Sequence, residues 1–327
     1  MEYVQLARTG LKVSQLCLGT WRFGKVTNGT IETDRTTAHD LLDTAWDHGI
    51  NFIDTANSYG LGESETYIGE WLSDYDREDL VIASKVLWAH KGTTIEALGR
   101  QKGPLRRKGV SRKSIRAELE GTLERLDTSY LDIYYVHTWH PGLPLRETLR
   151  TLDDLVSDGL VHTIGVSNVA SWQLMKACWK SDSYGWERFE VVQPRFNAIA
   201  RDPGNGLLAV CTDQQIAMCP YSPLAGGFLT GKYEQGAAAP PGSRGEMSDW
   251  QNRFDKRDWQ VLATISAVAE ELDVTPAQIA LRWLIDGDVQ TVPIVGARTP
   301  EQLEENAGAT AISLSRSHRE RITVAGD

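Results

Sequence analysis

The chain has 327 residues, 41% hydrophobic and 24% charged, with a formal net charge of -10. That is the composition of a water-soluble globular protein, long enough for one large α/β barrel or for two ordinary domains. The acidic balance excludes a broad basic face of the kind that binds nucleic acid or an anionic membrane.

The four cysteines (Cys17, Cys178, Cys211 and Cys219) include no Cys-x-x-Cys pair, which argues against structural zinc and for a reducing compartment. The start, Met1-Glu-Tyr-Val-Gln-Leu6, lacks a secretory pattern, and no stretch is apolar enough to cross a bilayer. The expected location is the cytoplasm. The basic run Arg106-Arg107-Lys108 with Arg112-Lys113 reads as a solvated loop before a helix.

In chain order, Val4 to Val13 alternates about a Thr-Gly turn and reads as a small hairpin that plugs one end of the main fold. Gln15–Leu18 is a short strand ended by Gly19. Asp34–Asp47 carries apolar residues at helical spacing and is closed by His48-Gly49. Asn51–Ile53 is an apolar strand ended by Asp54, followed by a Gly60-x-Gly62 turn and a helix from Ser64, its expected cap, to about Leu72. The same alternation continues. Strands are expected at Leu80–Ser84, Leu131–Val136, His162–Val166, Glu190–Val192, Ile216–Pro220 and Thr291–Pro293. Helices are expected at Ser111–Leu126, Leu145–Val156, Ser171–Trp179, Gly206–Cys211, Asp258–Leu272, Thr275–Asp286 and Pro300–Ala307.

The stretch from Pro223 to about Phe254 is rich in Gly, Pro and Ala and has little periodicity, as in a functional or mobile loop. Eight short apolar strands alternating with helices favour one closed (β/α)₈ TIM barrel over residues 1–327, with an open doubly wound sheet as the alternative. No Gly-x-Gly-x-x-Gly follows the first strand, which counts against a Rossmann domain.

Chemistry in such a barrel belongs at the carboxyl ends of the strands. Three neighbouring strands end in Asp54 (with Tyr59 just beyond), Lys85 and His137. A phenol ordinarily titrates near about 10, and an ammonium beside it is expected to lower that value. Asp54 would pair with Lys85, neutral His137 would hydrogen-bond a carbonyl oxygen, and Tyr59 would exchange the proton.

These residues sit within a longer series: Gly19-Thr20-Trp21, Asp54-Thr-Ala-Asn-Ser-Tyr-Gly60, Ser84-Lys85, Tyr135-Val136-His137, Gly165-Val-Ser-Asn168, Gln193 with Asn197, Tyr221-Ser-Pro-Leu-Ala-Gly-Gly227, and Val295-Gly-Ala-Arg298 through Glu305-Asn306. In this order they resemble the aldo-keto reductase superfamily from about Val4 to Asn306. The closest resemblance is to its long-loop branch, through Gly231-Lys232-Tyr233 and Pro240-Pro241-Gly242-Ser243-Arg244. That branch includes bacterial and archaeal reductases and the potassium-channel β subunits.

The resemblance implies Tyr59 as acid/base, Asp54 and Lys85 as its tuning pair, and His137 as the substrate-orienting group. It places Ser167, Asn168 and Gln193 at a nicotinamide carboxamide and Tyr221 against the nicotinamide ring. Ser222, Leu224 and Gly226 with Lys232 fall over the pyrophosphate. Gly296, Arg298, Gln302, Glu305 and Asn306 fall at the adenosine end. Independently, a guanidinium on the loop after the last strand suits a 2′-phosphate, which favours NADP(H), with NAD(H) left open because Glu305 is nearby.

Trp21, which also belongs to the cofactor set, Trp88 and Trp139 are candidates for an aromatic substrate wall. Two departures from the branch, Thr138-Trp139-His140 after His137 and Phe196 before Asn197, bear on the substrate rather than on the proton-transfer set. No metal site is expected. The activity implied is reversible reduction of aldehydes or ketones. The alternatives are an NAD-linked sugar or alcohol dehydrogenase and a redox-sensing cofactor-binding module like the channel β subunits. Oligomeric state is not legible in one sequence.

Overall fold

A computed structural model describes residues 1–86, 110–139, 142–201, 206–246 and 250–326. Trp88, His140 and the run Arg106-Arg107-Lys108 lie outside the described residues.

The expected hairpin forms from β1 (Tyr3–Gln5) and β2 (Lys12–Ser14), paired antiparallel. Its Leu6 and Val13 are fully buried against the barrel interior, among Cys17, Phe52, Ile133, Tyr135 and Val191. The plug is a consequence of packing, because the interior of such a barrel is filled by side chains and its amino-terminal end must be covered.

The barrel strands are β3 (Cys17–Gly19), β6 (Phe52–Asp54), β7 (Val81–Val86), β8 (Leu131–Val136), β9 (Val161–Ser167), β10 (Phe189–Gln193), β11 (Ala217–Met218) and β12 (Ile294–Val295). They form one eight-stranded sheet with β11 and β12 at its ends. Between these ends, Met218 N donates to Gln290 O (2.9 Å), Val292 N to Met218 O (2.8 Å) and Ile294 N to Pro220 O (3.0 Å), which closes the (β/α)₈ barrel. Every residue of β7 and β8 is buried, as expected for parallel strands covered on both faces.

The surrounding helices are α1 (Arg35–Asp47), α2 (Glu63–Leu72), α3 (Arg112–Leu126), α4 (Leu145–Ser157), α5 (Ser171–Tyr184), α6 (Leu207–Gln214), α7 (Lys256–Glu271), α8 (Pro276–Ile285), α9 (Pro300–Ala307) and α10 (Arg316–Ala325). Their starts obey capping chemistry. Asp34 accepts from Thr37 N, and Thr275 and Thr299 cap helices that have proline in the first turn.

Several expectations are corrected. Ser64 is not a cap, because α2 begins at Glu63 after left-handed Gly62. Ser64 instead points inward, bonding Thr20 Oγ1 (2.7 Å) and Thr55 Oγ1 (2.9 Å), which ties the ends of β3 and β6. The last strand is Ile294–Val295 rather than Thr291–Pro293, because Pro293 has no N–H for the ladder.

A second hairpin, β4 (Val26–Thr27) with β5 (Thr30–Ile31), and helix α10 have no counterpart in the sequence reading. The long loop, as far as it is described, is anchored by a few buried aromatic residues, while much of 231–246 is exposed. Phe228 stacks on Phe254 (3.8 Å between centroids), and Tyr233 and Trp250 are buried.

Candidate active site

The carboxyl ends of the strands open onto a cavity of about 920 Å³. At its floor lies Lys85, fully buried at the end of β7. Its ammonium donates to Asp54 Oδ1 (2.5 Å), Thr55 O (2.7 Å) and the Tyr59 hydroxyl (3.1 Å). Asp54 Oδ2 accepts from Gln193 Nε2 (2.8 Å). Across the hollow, the rings of Tyr59 and His137 meet edge to face at 5.9 Å. The four residues expected to exchange protons are thus brought together, with Asp54, Tyr59 and His137 on the cavity wall and Lys85 just beneath it.

Burial and charge compete at every group. Burial pushes the Asp54 carboxyl above its ordinary value, against Lys85 and Gln193. Burial opposes the Lys85 charge, but Asp54 and Tyr59 outweigh it and the ammonium is held more tightly than usual. For Tyr59 the sequence expectation fails in sign. Lys85 does pull the phenol down, but burial, the larger effect, leaves it raised. Tyr59 is therefore held as the protonated phenol.

Tyr59 is presented by a strained turn. Gly60 (φ 56°), Leu61 (φ 62°) and Gly62 (φ 101°) are successive left-handed residues. A Cβ at Gly60 would come within 2.5 Å of Phe23 O, so glycine is required by both conformation and packing.

At the ends of β9 and β10, Ser167 Oγ donates to Gln193 O (2.7 Å), and Asn168 Nδ2 donates to His137 O (3.0 Å). Asn168 Oδ1 accepts from the Tyr221 hydroxyl (2.9 Å). Asn168 is left-handed (φ 53°), and Ala170, not Asn168, occupies the N-cap position of α5, its N–H bonded to Gln173 Oε1, so Asn168 is not a helix cap. Ser222 (φ 55°) is held by Asn197 Nδ2 through its carbonyl (2.9 Å). Non-glycine residues in this region concentrate strain at the cavity rim.

The far end of the cavity is lined by Leu224, Gly226, Lys232, Gly296, Arg298, Gln302, Glu305 and Asn306, all anticipated. Arg298 Nη1 donates to Gly242 O (2.6 Å), and Arg298 N to Gln302 Oε1 (3.0 Å).

Two further cations were missed by sequence reasoning, Arg22 and Arg244. Arg244 stands 5.7 Å from the Trp21 ring centroid, and Lys25 lies over that ring at 3.4 Å. Arg22 pairs with Glu32, yet burial, Arg244 and Arg298 lower its pKa to about 10. Burial and the neighbouring cations also lower Lys232 and Arg244. Among the described residues neither Lys232 nor Arg244 forms a direct ion pair with a carboxylate, although Glu32 attracts Arg244 from nearby. The signal was available, since Arg22 follows Trp21 directly and Arg244 ends the Pro240–Ser243 run.

Of the tryptophans, Trp21 lines the cavity, whereas Trp139 packs against the main core and is not part of the lining. No group of three potential metal ligands occurs among the described residues.

The chain matches the aldo/keto reductase family over residues 15–326. The chain belongs to that family. It is 35% identical to the uncharacterized oxidoreductase YrpG of Bacillus subtilis over 97% of this chain and 93% of that one. It is 32% identical to a probable voltage-gated potassium channel subunit beta of Arabidopsis thaliana, over 95% and 92%. Among solved structures, a thermostable aldo-keto reductase, Tm1743, crystallised with the inhibitor epalrestat, superposes with a TM-score of 0.77. It shares 32% identity and covers 100% of both chains. Family and fold together make this chain an oxidoreductase of the aldo/keto reductase type, whose members generally use NAD(P)(H).

Proposed function

We propose that this aldo/keto reductase is an NADPH-dependent carbonyl reductase that converts aldehydes or ketones to alcohols reversibly, with Tyr59 as the general acid and base. The observation that carries the reading is the Tyr59 hydroxyl 3.1 Å from a buried ammonium on the wall of a large cavity.

When bound, the nicotinamide supplies or accepts the hydride. The residues of the chain do the rest. Tyr59, held protonated by burial, delivers its proton to the carbonyl oxygen as negative charge develops there. Lys85 stabilises the phenolate left behind, and Asp54 keeps Lys85 charged and aimed. His137 faces Tyr59 across the hollow and orients the same oxygen by hydrogen bonding. Gln193, Asn168 and Ser167 retain bonding capacity for a carboxamide, and Tyr221 offers a ring beside them.

The preference for NADPH is supported by the fit of the far end. Arg22, Lys232, Arg244 and Arg298 repel one another around one hollow, the electrostatics of a polyanion site. Trp21 is the proposed apolar wall for the substrate. The expected setting is the cytoplasm. It is supported by four free, buried cysteines, and no described helix is long and apolar enough to cross a membrane.

Tyr59→Phe tests the role. NADPH binding, followed by fluorescence, should persist while steady-state reduction of benzaldehyde falls by roughly 10²–10⁴. Turnover near that of the wild type would refute the assignment. The resemblance to a channel β subunit favours a second reading, in which cofactor redox state rather than turnover is the output. Tight NADPH retention with no multiple turnover on any carbonyl compound would select it.

A further inference from the structure

The loop that carries Tyr59 leaves the barrel at Asp54 and returns at α2. Among the described residues, the side chains from Ala56 to Leu61 make two hydrogen bonds to the rest of the protein. One is the bond between Tyr59 and Lys85. The other runs outward, where Asn57 Nδ2 donates to Glu118 Oε2 on α3 at 2.7 Å. The remaining supports are weak or local. Asn57 N reaches Lys85 O at 3.4 Å, and Tyr59 N donates to Ala56 O at 3.0 Å within the loop itself. Beyond Tyr59 the turn passes through three left-handed residues to a Leu61 that is 72% exposed. On its far side the phenol is held by close packing of Gly60 against Phe23 and not by a side-chain hydrogen bond.

Helix α3 is a firm anchor for this purpose. About two turns further on, its Arg125 forms an ion pair with Glu65 of α2 (2.6 Å). Glu65 is fully buried and accepts from Ser84 Oγ (2.6 Å), the residue before Lys85. The helix thus reaches the tyrosine loop through Glu118 and the lysine strand through Arg125, Glu65 and Ser84.

We infer that Asn57 and Glu118 form a positioning pair, which holds the Tyr59 hydroxyl at its donating distance from Lys85 by tying the tyrosine loop to α3. The inference rests on the proton-transfer role proposed above for Tyr59. A charge-assisted bond at this distance is short and directional. It acts two residues before the phenol, where a small displacement of the loop becomes a displacement of the reacting hydroxyl. Neither residue lines the cavity, so neither touches substrate or cofactor.

The test compares Asn57→Ala, Glu118→Ala, their double variant and Glu118→Gln with the wild type. The readouts are benzaldehyde reduction, NADPH affinity by fluorescence and the melting temperature. Misplacing the acid should lower kcat about tenfold in either alanine variant, while KM and NADPH affinity stay within about twofold. The double variant should be no slower than the slower single one, because both remove the same bond. Glu118→Gln keeps an acceptor for Asn57 and should recover kcat to within about threefold of the wild type.

The inference is overturned by an unchanged kcat in Asn57→Ala. It is also overturned if kcat, NADPH affinity and melting temperature fall together, or if Glu118→Gln is as slow as Glu118→Ala. Asn57→Ala removes only one half-buried amide and decides the matter should Glu118→Ala not fold. Tyr59→Phe in the same assay separates the two levels. An active Tyr59→Phe enzyme removes the acid role and this inference with it. An inactive one beside a normal Asn57→Ala enzyme removes the positioning pair alone.

Discussion

The two ends of the cavity meet opposite electrostatic conditions. At the strand ends around Lys85, every charge has an internal partner. The ammonium lies on Asp54, Thr55 and Tyr59, and Asp54 is completed by Gln193. At the far end, Arg22, Lys232, Arg244 and Arg298 face the same space, and burial, with their mutual repulsion added to it, lowers three of them. The first end is internally paired without a ligand, as preorganisation of the proposed catalytic groups requires. The second end carries more positive than negative charge in its lining, and on the reading proposed above the ligand would supply the balance. On the proposed function, one end would serve chemistry and the other capture.

The sharpest way to break this contrast is Lys85→Met, which converts the finished end into an unfinished one. Removing one partner of a buried ion pair costs about 3–5 kcal/mol when the other stays charged. Asp54 is already pushed up by burial and should take a proton instead, so the observed loss in urea unfolding at neutral pH should fall below that range. Reduction of benzaldehyde should drop by at least about 10².

The pH profile adds a sign. In the proposed role Tyr59 would act in reduction as the protonated phenol, and burial raises it. The wild-type reduction rate should therefore stay level across neutral pH and fall only above the ordinary phenol value of about 10. Lys85 is the influence that lowers Tyr59, so in the variant any remaining alkaline fall should move to higher pH. A fall in wild-type reduction beginning near neutrality would contradict the assignment of a raised phenol.

How much of this was legible in the chain differs between the two ends. The barrel and the proton-transfer set could be read because each strand is a short apolar run that stops at a polar residue, as at Ile53-Asp54 and Val136-His137. The parallel topology then brings neighbouring strand ends together. What could not be read depends on closure and on burial. Ser64 has the composition of a cap, but the left-handed Gly62 starts the helix one residue earlier and turns the serine inward. The direction of the Tyr59 shift required knowing how deeply the phenol is enclosed, and the sequence shows only the neighbouring lysine. Arg22 and Arg244 come from distant parts of the chain and meet only when the barrel closes and the long loop folds back over Trp21.

The capture end is tested next by Arg298→Ala. A charge-assisted hydrogen bond is worth about 1.5–3 kcal/mol, so NADPH affinity should fall about 10- to 150-fold. NADH lacks the 2′-phosphate, and its affinity should change by less than about threefold. Fluorescence titration with both cofactors at fixed ionic strength reads this directly. Equal losses for the two cofactors would move Arg298 away from the 2′-phosphate. The guanidinium also donates to Gly242 O, so in that case its contribution would be to hold the long loop.

The smallest expected effect is the most specific to the contrast. If the far end is left with uncompensated charge, removing one cation should stabilise the ligand-free protein while weakening cofactor binding. Arg244→Gln is the suitable change, because Arg244 forms no direct ion pair among the described residues, and burial and Arg298 oppose its charge more than the nearby Glu32 favours it. The side chain is partly exposed, and water screens most of that repulsion, so the gain should be no more than about 0.5 kcal/mol. It should appear as a slightly higher melting temperature without cofactor at low salt, and it should vanish at high salt, where such repulsion is already screened. With saturating NADPH the order should reverse, the wild type then melting higher because its bound phosphates neutralise the cluster. A ligand-free variant that melts lower than the wild type at low salt would show that Arg244 serves the packing of the long loop over Trp21, and that the capture end is as internally satisfied as the catalytic one.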